Sequence, residues 1–195
     1  EDVDWISRYG HTNYQEFKIV IATGRAAGDL HEINAVPYDG VAALNGADCI
    51  MRDGSVIKRF PIPKEDFRKS IAIAKEFDFA IALELDEGVF VNQMTPTVEQ
   101  LARIVEHPIP PVVDIEKMFD KKECCQLCFY FDYETEQKVM PHLPNLCASR
   151  WYPSFADINV EGLAKLPAFR HLRNIMELMF QKSWHAAMAA MIFPC

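Results

Sequence analysis

Apolar residues fall into two rhythms along this chain. Ile19–Ile21 and Val41–Leu44 are continuous apolar runs, the pattern of strands buried on both faces. They predict strands over Lys18–Ala22 and Val41–Leu44, with a helix over Ala26–Ile33 between them that Pro37 ends. Asp53-Gly54 is a hairpin signal joining strands Cys49–Arg52 and Val56–Phe60. Pro61 and Pro63 then mark a border. Beyond it, Phe67, Ile71, Ala74 and Phe77 recur at three- and four-residue spacing and predict a helix from Lys64. Phe79–Leu85 and Val89–Asn92 flank Asp86-Glu87-Gly88, a hairpin with glycine where positive φ is wanted. Thr95-Pro96 starts a helix with Thr as N-cap and Pro at its first position, and Val98, Leu101, Ala102 and Val105 form its buried face. Cys124–Phe131 reads as a strand and Glu134–Met140 as a short helix. Ser149–Tyr152 and Phe155–Val160 read as a closing hairpin. The expectation is an α/β unit over residues 1–62 and 156–195, with an α+β module inserted at 63–155.

Composition adds boundaries to this picture. The chain has 195 residues, half of them hydrophobic and 25% charged, as in a soluble globular protein. Its formal net charge of −8 argues against nucleic acid, whose backbone demands basic patches. The apolar run Ala186–Phe193 is far too short to cross a bilayer. No signal peptide is visible: Glu1-Asp2-Val3-Asp4 offers neither a basic region nor an apolar core, so the expected location is cytoplasmic. The six cysteines do not make a secreted disulfide framework. Cys125-x-x-Cys128 has zinc-site spacing but no matching second pair, and it sits in a strand pattern where cysteine serves as a small hydrophobe.

Candidate chemistry begins at Ala22-Thr23-Gly24-Arg25, directly after the first buried strand. A hydroxyl, a close-approaching backbone N–H and a nearby cation at a strand tip suit a phosphate. The alternative is an ordinary strand-to-loop turn, with Arg25 capping the helix behind it. Asn45-Gly46 is a turn signal in any protein. The six histidines form no ligand or nucleophile pattern. No Walker loop or Gly-x-Ser-x-Gly elbow occurs.

Taken with Ala43-Leu44-Asn45-Gly46-Ala47, the Asp53-Gly54 hairpin and Asp157–Lys165, this order resembles the Cof-type (subfamily IIB) haloacid dehalogenase-like hydrolases over roughly three quarters of the chain. The resemblance implies a HAD-like, partial Rossmannoid core with an inserted α+β cap. It implies a phosphohydrolase acting on small phosphorylated metabolites, such as sugar phosphates, through an aspartyl-phosphate intermediate with Mg²⁺. Thr23 would donate its hydroxyl, Gly24 its backbone N–H and Lys165 its charge to the phosphate. Asp2 would be nucleophile and Asp4 general acid, and both would be metal ligands.

Both ends depart from the pattern. Asp2-Val3-Asp4 has the Asp-x-Asp spacing but is followed by Trp5-Ile6, with no apolar strand before it. Only residues 5–22 separate Asp4 from Thr23. The fourth, metal-binding motif is missing after Lys165. In its place Phe169, Leu172, Met176, Met179 and Phe180 predict amphipathic helices, with Glu177 alone among them. A second reading therefore stands beside the enzyme: an inactive or truncated scaffold that binds phosphate weakly, or self-associates through those terminal helices.

Overall fold

The run at Ile19–Ile21 becomes β1 (Val20–Ala22) in a computed structural model, which describes residues 19–30 and 37–162. β1 pairs in parallel with β2 (Gly40–Ala43), which continues antiparallel through β3 (Asp48–Met51) and β4 (Val56–Arg59). This four-stranded sheet runs in the order β1-β2-β3-β4. Ile21, Val41, Ala43, Leu44 and Ala47 are buried together at its centre. The Asp53-Gly54 turn forms as expected. Gly54 takes φ 84°, and Ser55 donates from both its N–H and its hydroxyl to Asp53 Oδ1.

The second unit is built on a five-stranded antiparallel sheet in the order β6-β5-β7-β9-β8. The strands are β5 (Ala80–Leu85), β6 (Gly88–Val91), β7 (Gln126–Tyr130), β8 (Leu146–Tyr152) and β9 (Phe155–Val160). Strand geometry sends alternate residues to opposite faces. Ile81, Leu83, Leu127, Phe129 and Ile158 lie on one face. They pack on α1 (Lys64–Phe77), α3 (Ile115–Phe119) and α4 (Tyr133–Val139) through Phe67, Ile71, Phe119 and Val139. Each such fully buried side chain stabilises the fold by about 1.5–3 kcal/mol. Ala80, Ala82, Cys128 and Tyr130 lie on the other face, partly covered by Val98 and Leu101 of α2 (Pro96–Ile104). That same face carries Glu84, Gln126, Asp157 and Asn159, by register. A sheet with one apolar and one partly polar face needs a polar neighbour, and the loops of the first unit supply it.

Two expectations are corrected, and one helix lies where none was predicted. The helix over Ala26–Ile33 is, in its described part, a single 3₁₀ turn at Ala27–Asp29. The Ala26 N–H donates to the Glu84 carboxylate, and Gly28 packs against the Asp86 backbone, so tertiary contacts replace helical ones. The return to the first unit at residue 156 is displaced, because β9 is paired between β7 and β8 through Val160. Finally, α3 was not anticipated. Its signal is Asp114, whose carboxylate accepts from the Lys117 N–H as an N-cap. The terminal helices expected after residue 165 lie outside the described residues.

Candidate active site

The Thr23–Arg25 loop follows β1 and meets the turn after β2. There Leu44 and Asn45 adopt left-handed backbones (φ 50° and 58°), which turn their N–H groups towards the loop. Asn45 tolerates this conformation better than most residues. The Asn45 N–H donates to the Thr23 carbonyl at 3.0 Å and the Leu44 N–H to the Arg25 carbonyl at 3.1 Å. The Gly24 carbonyl accepts from Gln126 Nε2 at 3.2 Å. Three successive carbonyls are thus engaged and held away from any ligand. The Arg25 N–H donates to Thr23 Oγ1 at 3.1 Å. Among the described residues, nothing accepts from the Gly24 N–H or the Thr23 hydroxyl. A loop with occupied acceptors and available donors suits an anion.

Asn45, Gln126, Asp157 and Asn159 form one buried polar knot between the units. Asn45 Nδ2 lies 3.0 Å from Gln126 Oε1, 3.1 Å from Asp157 Oδ2 and 3.3 Å from Asn159 Oδ1. Asn159 Nδ2 shares its two hydrogens among the Leu44 carbonyl, the Cys125 carbonyl and Gln126 Oε1, all within 3.2 Å. Gln126 Nε2 also donates to Glu84 Oε2 at 2.7 Å. A second tie is Arg59 of β4, bidentate on buried Asp48 and 3.6 Å from both Asp86 and Glu123.

Next to this knot lies a cavity of about 930 Å³ between the units. Gly24, Arg25 and Ala26 form one wall; Glu84, Cys128, Tyr130, Trp151, Phe155 and Asp157 form another. The rim includes His107, whose Nε2 is 3.2 Å from Asp29 Oδ2. Six carboxylates line the cavity (Asp29, Glu84, Asp86, Glu87, Glu106 and Asp157) against Arg25 and His107. The cavity's overall field is therefore acidic, and an anion there would need local donors.

Glu84, Cys128 and Asp157 bring their ligand atoms within 4.8 Å of one another. Burial raises the Glu84 carboxyl, although hydrogen bonds from Gln126, Cys128 and Ala26 oppose it. Burial, then the neighbouring Glu84 charge, pushes Asp157 up to about 8. The Cys128 thiol is raised well above its ordinary value by burial, then by Glu84. This group does not fit Mg²⁺, which demands hard oxygen ligands in near-octahedral array. One member is a thiol whose burial disfavours the thiolate, and burial likewise raises both carboxyls, so the group lacks the set of charged oxygens that this ion requires.

The sequence-derived residues divide as follows. Thr23, Gly24 and Arg25 come together in the loop described. Arg25 lines the cavity, and the described part of the chain behind it offers no α-helix to cap. Asp2, Asp4 and Lys165 lie outside the described residues. Cys125 packs with Ala26 and Val41 in the first unit's core, whereas Cys128 meets Glu84, so the two thiols belong to different surroundings. Sequence reasoning missed Glu84, Gln126, Asp157 and Asn159. Their signal was available: each is a polar residue inside an otherwise apolar strand.

The family model of the haloacid dehalogenase-like hydrolases matches residues 9–183. The chain belongs to that family. It is 63% identical to a solved phosphatase of the haloalkanoate (HAD) enzyme superfamily from Bacteroides thetaiotaomicron, with a TM-score of 0.78 over 89% of this chain and 65% of that one. It is 26% identical to a sugar phosphatase of HAD subclass IIB, with a TM-score of 0.68 over 82% of this chain and 62% of that one. A further structure at 25% identity and TM-score 0.68 comes from a phosphoryl-transfer superfamily with a conserved trigonal-bipyramidal intermediate, and the match covers 82% of this chain and 62% of that one. The chain therefore spans less than two thirds of these relatives' lengths. A comparison with curated proteins gives no match.

Proposed function

We propose that the chain is the phosphate-binding and substrate-enclosing part of a HAD-type phosphohydrolase for small phosphorylated metabolites, with sugar phosphates as the leading class. The observation that carries this is the Thr23–Arg25 loop, whose carbonyls are all engaged while the Thr23 hydroxyl and Gly24 N–H face no acceptor among the described residues. Phosphoryl transfer is mainly positioning and charge stabilisation, and preset donors of this kind serve it. Lys165 is proposed as a point charge on the same phosphate. Asp2 is proposed as the nucleophile: its carboxylate attacks phosphorus, and the departing alcohol takes a proton from Asp4. Water then hydrolyses the aspartyl phosphate and releases inorganic phosphate. Mg²⁺ is the expected cofactor and would offset phosphate charge. Asp2 and Asp4 are its proposed ligands.

The second unit, residues 63–155 together with β9, is proposed as the cap that encloses the leaving group. Its share of the cavity fits a sugar. Tyr130, Trp151 and Phe155 offer apolar faces, while Glu84 and Asp157 accept from hydroxyls. The subclass IIB neighbour's description as a sugar phosphatase supports the same reading. A cytoplasmic location is proposed on the described cysteines, which form no disulfide with one another. Among the described residues, no helix is long and apolar enough to cross a membrane.

Phosphate release from a generic aryl phosphate, with Mg²⁺ and with EDTA, tests the reading beside Asp2→Asn. Turnover that needs Mg²⁺ and vanishes in Asp2→Asn supports it. Equal background throughout supports the scaffold instead.

A further inference from the structure

We propose that Gln126, on the second unit's central strand, is a positioning residue that sets the orientation of the Thr23 hydroxyl. This rests on the phosphate reading above. One peptide unit carries the link, because the Gly24 carbonyl and the Arg25 N–H belong to the same plane. Gln126 Nε2 holds the carbonyl end at 3.2 Å. The N–H end donates to Thr23 Oγ1 at 3.1 Å. With one lone pair of Oγ1 occupied by that donor, the hydroxyl's own hydrogen must point elsewhere, and it becomes a donor to the phosphate. If the peptide plane rotates, the hydroxyl is released and its hydrogen loses this bias.

Gln126 is built for this task. Its side chain is fully buried and all four hydrogen-bonding positions are used. Oε1 accepts from Asn45 and Asn159, and Nε2 donates to Gly24 and Glu84. An amide flipped end for end would set its oxygen against a carbonyl and a carboxylate, and its NH₂ against two amide donors. The orientation is therefore fixed. The residue lies 102 positions from Gly24 in the chain, so the second unit reaches into the phosphate loop of the first.

The test is a double-mutant cycle on the full chain, read by calorimetric titration of inorganic phosphate. Thr23→Ala is expected to weaken binding about tenfold and Gln126→Met about fivefold, as for a hydrogen bond to a charged group lost or misaligned. The double variant should bind within about twofold of Thr23→Ala, because Gln126 acts through the Thr23 hydroxyl. Additive losses overturn the proposal. In parallel, amide hydrogen exchange at Arg25 should accelerate in Gln126→Met while β2 and β3 amides keep their protection; uniform acceleration indicates a merely structural role and also overturns it. If Gln126→Met does not fold, Gln126→Asn, which withdraws the amide by one methylene, is read by the same criteria. Phosphate binding lost in Thr23→Ala but unchanged in Gln126→Met sinks this inference alone. No phosphate binding by the parent chain sinks the functional reading with it.

Discussion

Asn159 offers the sharpest test of how the two units are held together. Its side chain is 1% exposed and donates to the Leu44 carbonyl at 3.2 Å, the Cys125 carbonyl at 3.1 Å and Gln126 Oε1 at 3.1 Å. Its Oδ1 receives Asn45 Nδ2 at 3.3 Å. Asn159→Leu preserves volume and removes every one of these bonds. The Leu44 carbonyl keeps the Ala47 N–H, and Gln126 Oε1 keeps Asn45, so those losses are partial. The Cys125 carbonyl loses its side-chain donor in a buried site. The amide's two hydrogens, shared among three acceptors, and the one bond its oxygen accepts amount to about three bonds at about 1 kcal/mol net; with the desolvation of groups left behind, and less the gain from burying an apolar side chain, this gives about 2–4 kcal/mol of destabilisation. For a chain of this size that lowers the melting temperature by about 5–15 °C. The assay is thermal and urea denaturation followed by circular dichroism. Ile158→Val on the same strand is the comparison, expected to cost about 0.5–1.5 kcal/mol as an ordinary core trim. A neutral or stabilising Asn159→Leu would refute the claim that the amide knot joins the units.

Three further outcomes follow from particular contacts. Gly28→Ala would place a Cβ 2.1 Å from the Asp86 carbonyl oxygen, a backbone atom that cannot swing aside. It should destabilise by about 1–3 kcal/mol on a urea melt, where the unfolded-chain effect of Gly→Ala would otherwise stabilise slightly. Arg59→Ala should cost about 2–4 kcal/mol, since it strands the buried Asp48 carboxylate, with the partial exposure of Arg59 softening the loss. Asp157 titrates higher when folded (about 8) than when unfolded, so its stabilising contribution is complete at acidic pH and is lost as pH rises towards 8. The melting temperature should therefore fall as pH rises from about 4 to about 8, and Asp157→Asn should flatten that slope. An unchanged slope in the variant counts against a buried proton at this site.

What the sequence made legible was local. The apolar run of β1, the turn at Gly54 and the Thr95 cap each depend on residues a few positions apart. The loop Thr23-Gly24-Arg25 is contiguous, so the phosphate-binding role proposed for it could be framed from neighbouring residues alone. Gln126, Asp157 and Asn159 could not be placed, because their partners lie 81, 112 and 114 residues away at Asn45. Asn45 was legible as a turn residue, yet its side chain's role as the hub of the knot was not. The failed helix after Ala26 has the same origin. Local composition favoured helix, but the Glu84 carboxylate and the Asp86 backbone, both from the other unit, took over the contacts of that segment.

The role proposed for the Thr23–Gly24 loop is to hold the transferring phosphoryl group. The most direct test compares kcat/KM for phosphate release, across a set of sugar phosphates with Mg²⁺ present, between the parent chain and Thr23→Ala. A loss of about 100-fold is expected in Thr23→Ala, the scale of removing one preset donor from a charged transition state. Equal kcat/KM in the two, with clear turnover by both, would contradict it.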